Sequence, residues 1–177
     1  MTAGVRQLAL TVHVVSSVGW LGAVIAFVAL AVAGIASADP AMIDGAYRSM
    51  AVIAWSTVLP AGTVSAVTGV ILSLGTRWGL LRHYWVVVKL VLTLVGLALL
   101  VIHMAPIDRL ADAAAAPAGV GAGLGHLQTQ TLVASGLAVL LLLFMTVLSI
   151  YKPRGRTRFG RLQQDQAALG RAPFAAR

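Results

Sequence analysis

The sequence predicts an all-α integral membrane protein: a four-helix bundle crossing a bacterial inner membrane four times, with both termini in the cytosol. Three observations lead there. Hydrophobic residues make up 59% of the 177-residue chain and charged residues only 10%, against about 25% charged in an ordinary soluble domain. The missing charges leave four long gaps, with no Asp, Glu, Lys or Arg in 7–38, 49–76, 90–107 or 113–151. The basic residues collect on one side of the membrane when the gaps are threaded as spans.

A helix needs about 20 consecutive apolar residues to cross the hydrocarbon layer. Each gap holds such a segment, and the spans are placed at 8–35, 50–74, 84–104 and 131–150. The apolar runs are continuous and lack the alternation of a membrane β-barrel. Residues 1–151 therefore form one transmembrane domain, and 152–177 form a basic cytosolic tail near anionic headgroups.

The first span is preceded by Arg6 and carries His13. Ala36-Ser37-Ala38 has the small-residue form of a signal-peptide cleavage site, but the apolar region before it is about twice the usual length, so a permanent anchor is expected. Asp39-Pro40 then opens a short outer loop as a turn. The second span contains Pro60, which should kink it, and a small-residue series Ala61, Ser65, Gly69, Ser73. Gly19 with Ala23 and Gly22 with Ala26 repeat that four-residue spacing on the first span. Small residues so spaced let helices approach closely, or form a flat wall for a planar cofactor. The third span follows a short basic loop, 75–83, and the fourth follows an Ala/Gly-rich outer loop, 105–130, expected to be mobile. Trp78, Tyr84, Trp85 and Tyr151 sit at the inner ends of spans as an interfacial aromatic belt.

Threading from an inner N-terminus puts ten of the thirteen basic residues in the cytosol. Arg48 and Arg109 fall outside with Asp39, Asp44, Asp108 and Asp112, as the positive-inside rule requires. The net charge of +8 is thus accounted for by topology, and no nucleic-acid partner is expected. Cysteine is absent, which excludes disulfides, thiolate metal sites, iron–sulfur clusters and haem attached through Cys.

Ionisable groups inside a bilayer are costly and mark functional candidates. His13 lies about two turns inside the first span and Lys89 about one and a half turns inside the third, so the two share a depth near the cytosolic face. His13, Ser17 and Trp20 lie on one helix face, and Lys89, Thr93, Gly96 and His103 on another. Neutral imidazole is a ligand for haem iron, and a nearby lysine can pair with a propionate. The plainer alternatives are a His13 hydrogen bond to a Ser or Thr of a neighbouring helix and a Lys89 that snorkels to the interface. At the outer surface, His103 and His126 with Met42, Met50 and Met104 offer imidazole and thioether donors of the kind copper takes. The plainer alternative there is a set of ordinary interfacial residues.

Several of these stretches resemble a known family. His13 followed by Gly19-Trp20 and Gly22, Arg48 before the second span, Pro60 with Gly69, the run His83-Tyr84-Trp85-Val86-Val87-Val88-Lys89-Leu90 and the ending Lys152-Pro153 are similar to HemJ-type membrane proteins. Much of the pattern also resembles the CopD copper-resistance membrane domain and a neighbouring uncharacterised integral membrane family, over roughly residues 8–153. The HemJ resemblance implies b-type haem, a role in protoporphyrinogen oxidation, His13 as a haem ligand and Lys89 as the lysine of the third helix. The chain departs from that pattern. It has no Glu, His126-Leu127-Gln128 stands where a polar Asn-Glu-x-Pro type stretch is expected, and the third-helix histidine is displaced outward to His103. The expected function is b-type haem binding in electron transfer or haem-related oxidation, with His13, Lys89, Trp20 and Ser17 around the cofactor. The alternatives are copper transport or tolerance, with His103, His126 and Met104 as the outer site, and a non-catalytic membrane subunit. A homo-oligomer or a membrane partner subunit would suit any of these.

Overall fold

The structure is a computed structural model that describes residues 1–75, 80, 83–116, 124–151 and 157. The described chain is helical: α1 (Ala3–Ala36), α2 (Pro40–Ile53), a π-helical turn (Ala54–Val58), α3 (Leu59–Gly75), α4 (Tyr84–Ala115) and α5 (Gly125–Tyr151). The segment Pro40–Gly75 runs as one continuous helical rod. Among the described residues there are thus four helices long and apolar enough to cross a membrane. Trp78, most of the 75–83 loop, residues 117–123 and nearly all of the tail after Tyr151 lie outside the described residues, together with the expectations placed on them.

The helices exceed the predicted spans, chiefly at one end of the bundle. Hydropathy stops a span at the first charge, but a backbone can stay helical beyond it. Asp39 does not open a loop. Its carboxylate accepts a hydrogen bond from the Ala41 amide at 3.0 Å, and Pro40 takes the first helical position, where its missing N–H is no loss. The connection from α1 is therefore three residues, Ser37 to Asp39. Similarly, α4 continues past Met104 to Ala115, through Pro106, because Met104, Ile107, Leu110 and Ala111 keep a helical period of buried positions. These two stretches were expected to be loops.

Pro60 deforms its helix one turn earlier than its own position. Proline cannot donate and crowds the carbonyl four residues back, here Ser56. The widened turn Ala54–Val58 accommodates it, and the Leu59 amide bonds to the Ala54 carbonyl, five residues back. The Trp55 indole on this turn donates to Asp108 Oδ1 of α4 at 3.1 Å.

α1 packs against α2, α3 and α5, and α4 against the same three. Two clusters form the interior. One surrounds Tyr47, Met50, Phe27 and Leu110, and the other surrounds Trp20, Val24, Leu142 and Met145. Elsewhere the helices are apolar outward: Leu8, Val18, Ile102, Leu140 and Ile150 are all more than 60% exposed. Helices apolar all round suit lipid contact rather than water.

The register of α1 against α3 is set by three paired positions: His13 lies on Gly69, Ser17 meets Ser65, and Trp20 lies on Gly62. Each pair has the same sum of residue numbers, as antiparallel helices require. The packing wall of α3 is thus Gly62, Ser65 and Gly69, with Ala61 one step off it. Gly19 and Gly22 have nothing within 4 Å of a Cβ position among the described residues, so they do not serve contact between the described helices.

Candidate functional site

A cavity of about 460 Å³ lies at the end of the bundle where α1 and α4 begin and α3 and α5 finish, within the usual range for small-molecule sites. It is lined by Arg6, Gln7, His13, Ser17 and Trp20 of α1, Ser65, Gly69 and Ser73 of α3, Trp85, Lys89 and Thr93 of α4, and Leu142, Met145 and Thr146 of α5. His13, Ser17, Trp20 and Lys89, chosen from the sequence as one site, therefore do line one space.

Depth can be read from the helix rise. Trp20 and Leu97 both touch the position of a Gly62 Cβ, so they stand at one level. His13 is seven residues before Trp20 and Lys89 eight before Leu97. At about 1.5 Å per residue, the two Cα atoms differ in depth by only about 2 Å.

The orientation of His13 is fixed by its neighbours. Nδ1 lies 2.9 Å from the Ser65 carbonyl oxygen and 3.1 Å from Thr68 Oγ1. The carbonyl can only accept, and the Thr68 hydroxyl spends its own proton on the Val64 carbonyl at 2.6 Å. Both groups therefore accept from Nδ1–H, which assigns the tautomer and leaves a lone pair on Nε2. Nε2 has no hydrogen-bond partner among the described residues. Beneath the ring, Gly69 supplies the space: a Cβ there would stand 3.1 Å from His13 Cε1. Ser17 donates to the His13 carbonyl at 2.7 Å and so accepts from Ser65 Oγ, also at 2.7 Å. The plainer expectation for His13, a bond to a neighbouring Ser or Thr, is thus met by one ring nitrogen, while the other remains open to a ligand.

Lys89 does not extend away from the bundle. Its ammonium donates to Ser149 Oγ of α5 at 2.5 Å and stands 6.0 Å from the Trp85 ring centre. Thr93 donates to the Met145 sulfur at 3.4 Å, and Gly96 faces Leu141. The polar face of α4 is therefore turned to α5. Trp20 is 6% exposed and closes the inner end of the cavity. Nothing in the sequence alone pointed to Ser65, Thr68 and Ser149 as the partners, nor to Arg6 and Gln7 at the mouth. The available clue was the matched spacing of 13, 17, 20 with 62, 65, 69.

The outer donors differ in their surroundings. His103 Nδ1 donates to the Leu99 carbonyl of its own helix at 2.8 Å. Met104, the next residue, points about 100° away into the core, where Met50 also lies. His126 and Met42 are exposed. Among the described residues no three His, Cys, Asp or Glu side chains come together as a metal-binding group.

The chain matches no family model, no curated protein and no solved structure.

Proposed function

We propose that the chain is a multi-pass membrane protein that binds haem b in the cavity between α1, α3, α4 and α5 and serves electron transfer or haem-related oxidation. The observation that carries the proposal is the His13 imidazole. Its Nδ1–H is held by a backbone carbonyl and a hydroxyl, and its Nε2 lone pair is left for a ligand in a cavity that also contains Lys89. This is the arrangement that orients metal-binding histidines and raises their basicity. The donor chemistry fits haem, because a neutral imidazole is a haem-iron ligand.

In this proposal His13 holds the iron, Lys89 faces an anionic edge, and Trp20 with the α3 wall excludes water from the ring. Bound haem would supply a one-electron couple. Two features support membrane insertion with both termini in the cytosol of a bacterial cell. Four helices are long and apolar enough to cross, and most basic residues fall on the side of the termini.

The test is the absorption spectrum of detergent-purified protein after haem-supplemented expression, oxidised and dithionite-reduced, beside His13→Ala. A Soret band with sharp reduced bands, lost in the variant, is the expected result. A colourless wild-type protein would overturn the proposal and turn attention to copper handling, by elemental analysis, or to a non-catalytic subunit.

A further inference from the structure

The charges around the cavity are one-sided. Arg6, Lys89 and His13 line it, and among the described residues that do so there is no carboxylate. The acids of the described chain, Asp39, Asp44, Asp108 and Asp112, belong to the far half of the bundle, where two of them engage Arg48 and Trp55. Apolar and aromatic side chains are graded the other way. The inner end is closed by Trp20, Leu142 and Met145, which belong to the buried cluster. Arg6 and Trp20 are fourteen residues apart on one helix, so the cavity spans about 21 Å from its basic mouth to its apolar floor. Lys89 stands part of the way down, about 9 Å below the level of Arg6 by the same rise. Two cations are thus set at two depths along one wall-to-wall space.

Resting on the haem reading above, we infer that the cavity selects a ligand with two carboxylates on one edge, Arg6 and Lys89 each holding one, with the ligand's apolar edge against Trp20. The ligand's acidic edge then faces the end of the bundle where the chain begins. Arg6 is the specificity-determining residue added here. Its guanidinium presents a fork of donors that matches a carboxylate, and Gln7 beside it adds an amide at the mouth. A charged hydrogen bond at half-buried Lys89 is worth about tenfold or more in affinity, and one at exposed Arg6 less.

The test compares two probes on the intact wild-type chain in detergent: haem and haem dimethyl ester, titrated by Soret absorption. The ester keeps the iron and the ring and loses both charges. The expected result is that the ester binds at least about tenfold more weakly than haem. Arg6→Gln should weaken haem severalfold while leaving ester binding as in wild type, and Lys89→Gln should do the same. Equal affinity of haem and its ester, with a normal Soret band for both, would overturn the inference and leave the haem reading intact. Absence of a Soret band with either probe would remove the haem reading and the inference with it. Because the ester comparison uses unaltered protein, the result does not depend on whether a variant folds.

Discussion

The His13 imidazole rests on the bare backbone of Gly69, and a Cβ at Gly69 would come within 3.1 Å of its Cε1 atom. The glycine is therefore the support on which the ring is seated while the Ser65 carbonyl and Thr68 hold its edge. Alanine at this position asks the ring to give by a few tenths of an ångström. Valine adds two further carbons where the ring lies. Gly69→Ala should bind haem about tenfold more weakly, and Gly69→Val should lose the Soret band, with helical circular dichroism kept in both. An unaltered spectrum in the valine variant would show that iron is not held by His13.

In the haem reading, Thr68 would act on iron only through His13, whose Nδ1 lies 3.1 Å from the Thr68 hydroxyl. Thr68→Val removes one of the two acceptors of Nδ1–H and preserves shape, while the Ser65 carbonyl keeps the tautomer. Loss of such an outer partner commonly weakens metal binding by about tenfold to a hundredfold. Thr68→Val should lie at the low end of that range, and Thr68→Ser, which retains the hydroxyl, should be close to wild type. Haem titrations that fail to separate valine from serine would argue that Thr68 is a packing residue only.

At the other end of the bundle, Tyr47 is 1% exposed and its ring covers Gly34 of α1, where a Cβ would stand 2.7 Å from the ring. Its hydroxyl accepts from the Gln128 amide of α5 at 2.9 Å. One side chain thus joins three helices. Tyr47→Phe should destabilise the fold by about 1 kcal/mol through the lost hydrogen bond. Gly34→Ala should cost about 1–3 kcal/mol, because a rigid, fully buried ring has to move. Thermal unfolding in detergent measures both, and a larger effect for Tyr47→Phe than for Gly34→Ala would contradict the packing described.

The chain has no cysteine, so single introduced thiols report topology without background. With both termini cytosolic, Ser37→Cys in intact cells should react with a membrane-impermeant maleimide, and Thr2→Cys should react only after permeabilisation. The reverse pattern would invert the proposed orientation.

The four long apolar helices were legible from the charge gaps, because a segment suited to lipid excludes charge whatever the tertiary structure. Their ends were less so. Asp39, Arg48 and Asp108 looked like loop residues because they are charged, yet they sit on helix ends and faces where caps and neighbours serve them: Asp39 bonds the Ala41 amide, Arg48 pairs with Asp44, and Asp108 receives Trp55. The pairing of His13 with Ser65 and Thr68 depends on how α1 and α3 are rotated and slid, which a single helix pattern does not determine. The shared depth of His13 and Lys89 was legible, since it needs only the rise per residue. The outer histidines and methionines illustrate the converse: neighbours in sequence such as His103 and Met104 diverge on a helix.

The widened turn Ala54–Val58 works as a phase splice. An α-helix advances about 100° per residue, and a π turn absorbs one extra residue without restarting the helix. The outer rod, whose Tyr47 covers Gly34, and the inner rod, whose Gly62, Ser65 and Gly69 meet Trp20, Ser17 and His13, both keep their contacts with α1 across it. A one-residue deletion within this turn would remove that extra residue and let the rod run on as plain α-helix, with Tyr47 kept over Gly34 and Ser65 against Ser17. The turn is in this sense a length buffer, taking up one residue between the cavity end and the end that locks the helices together.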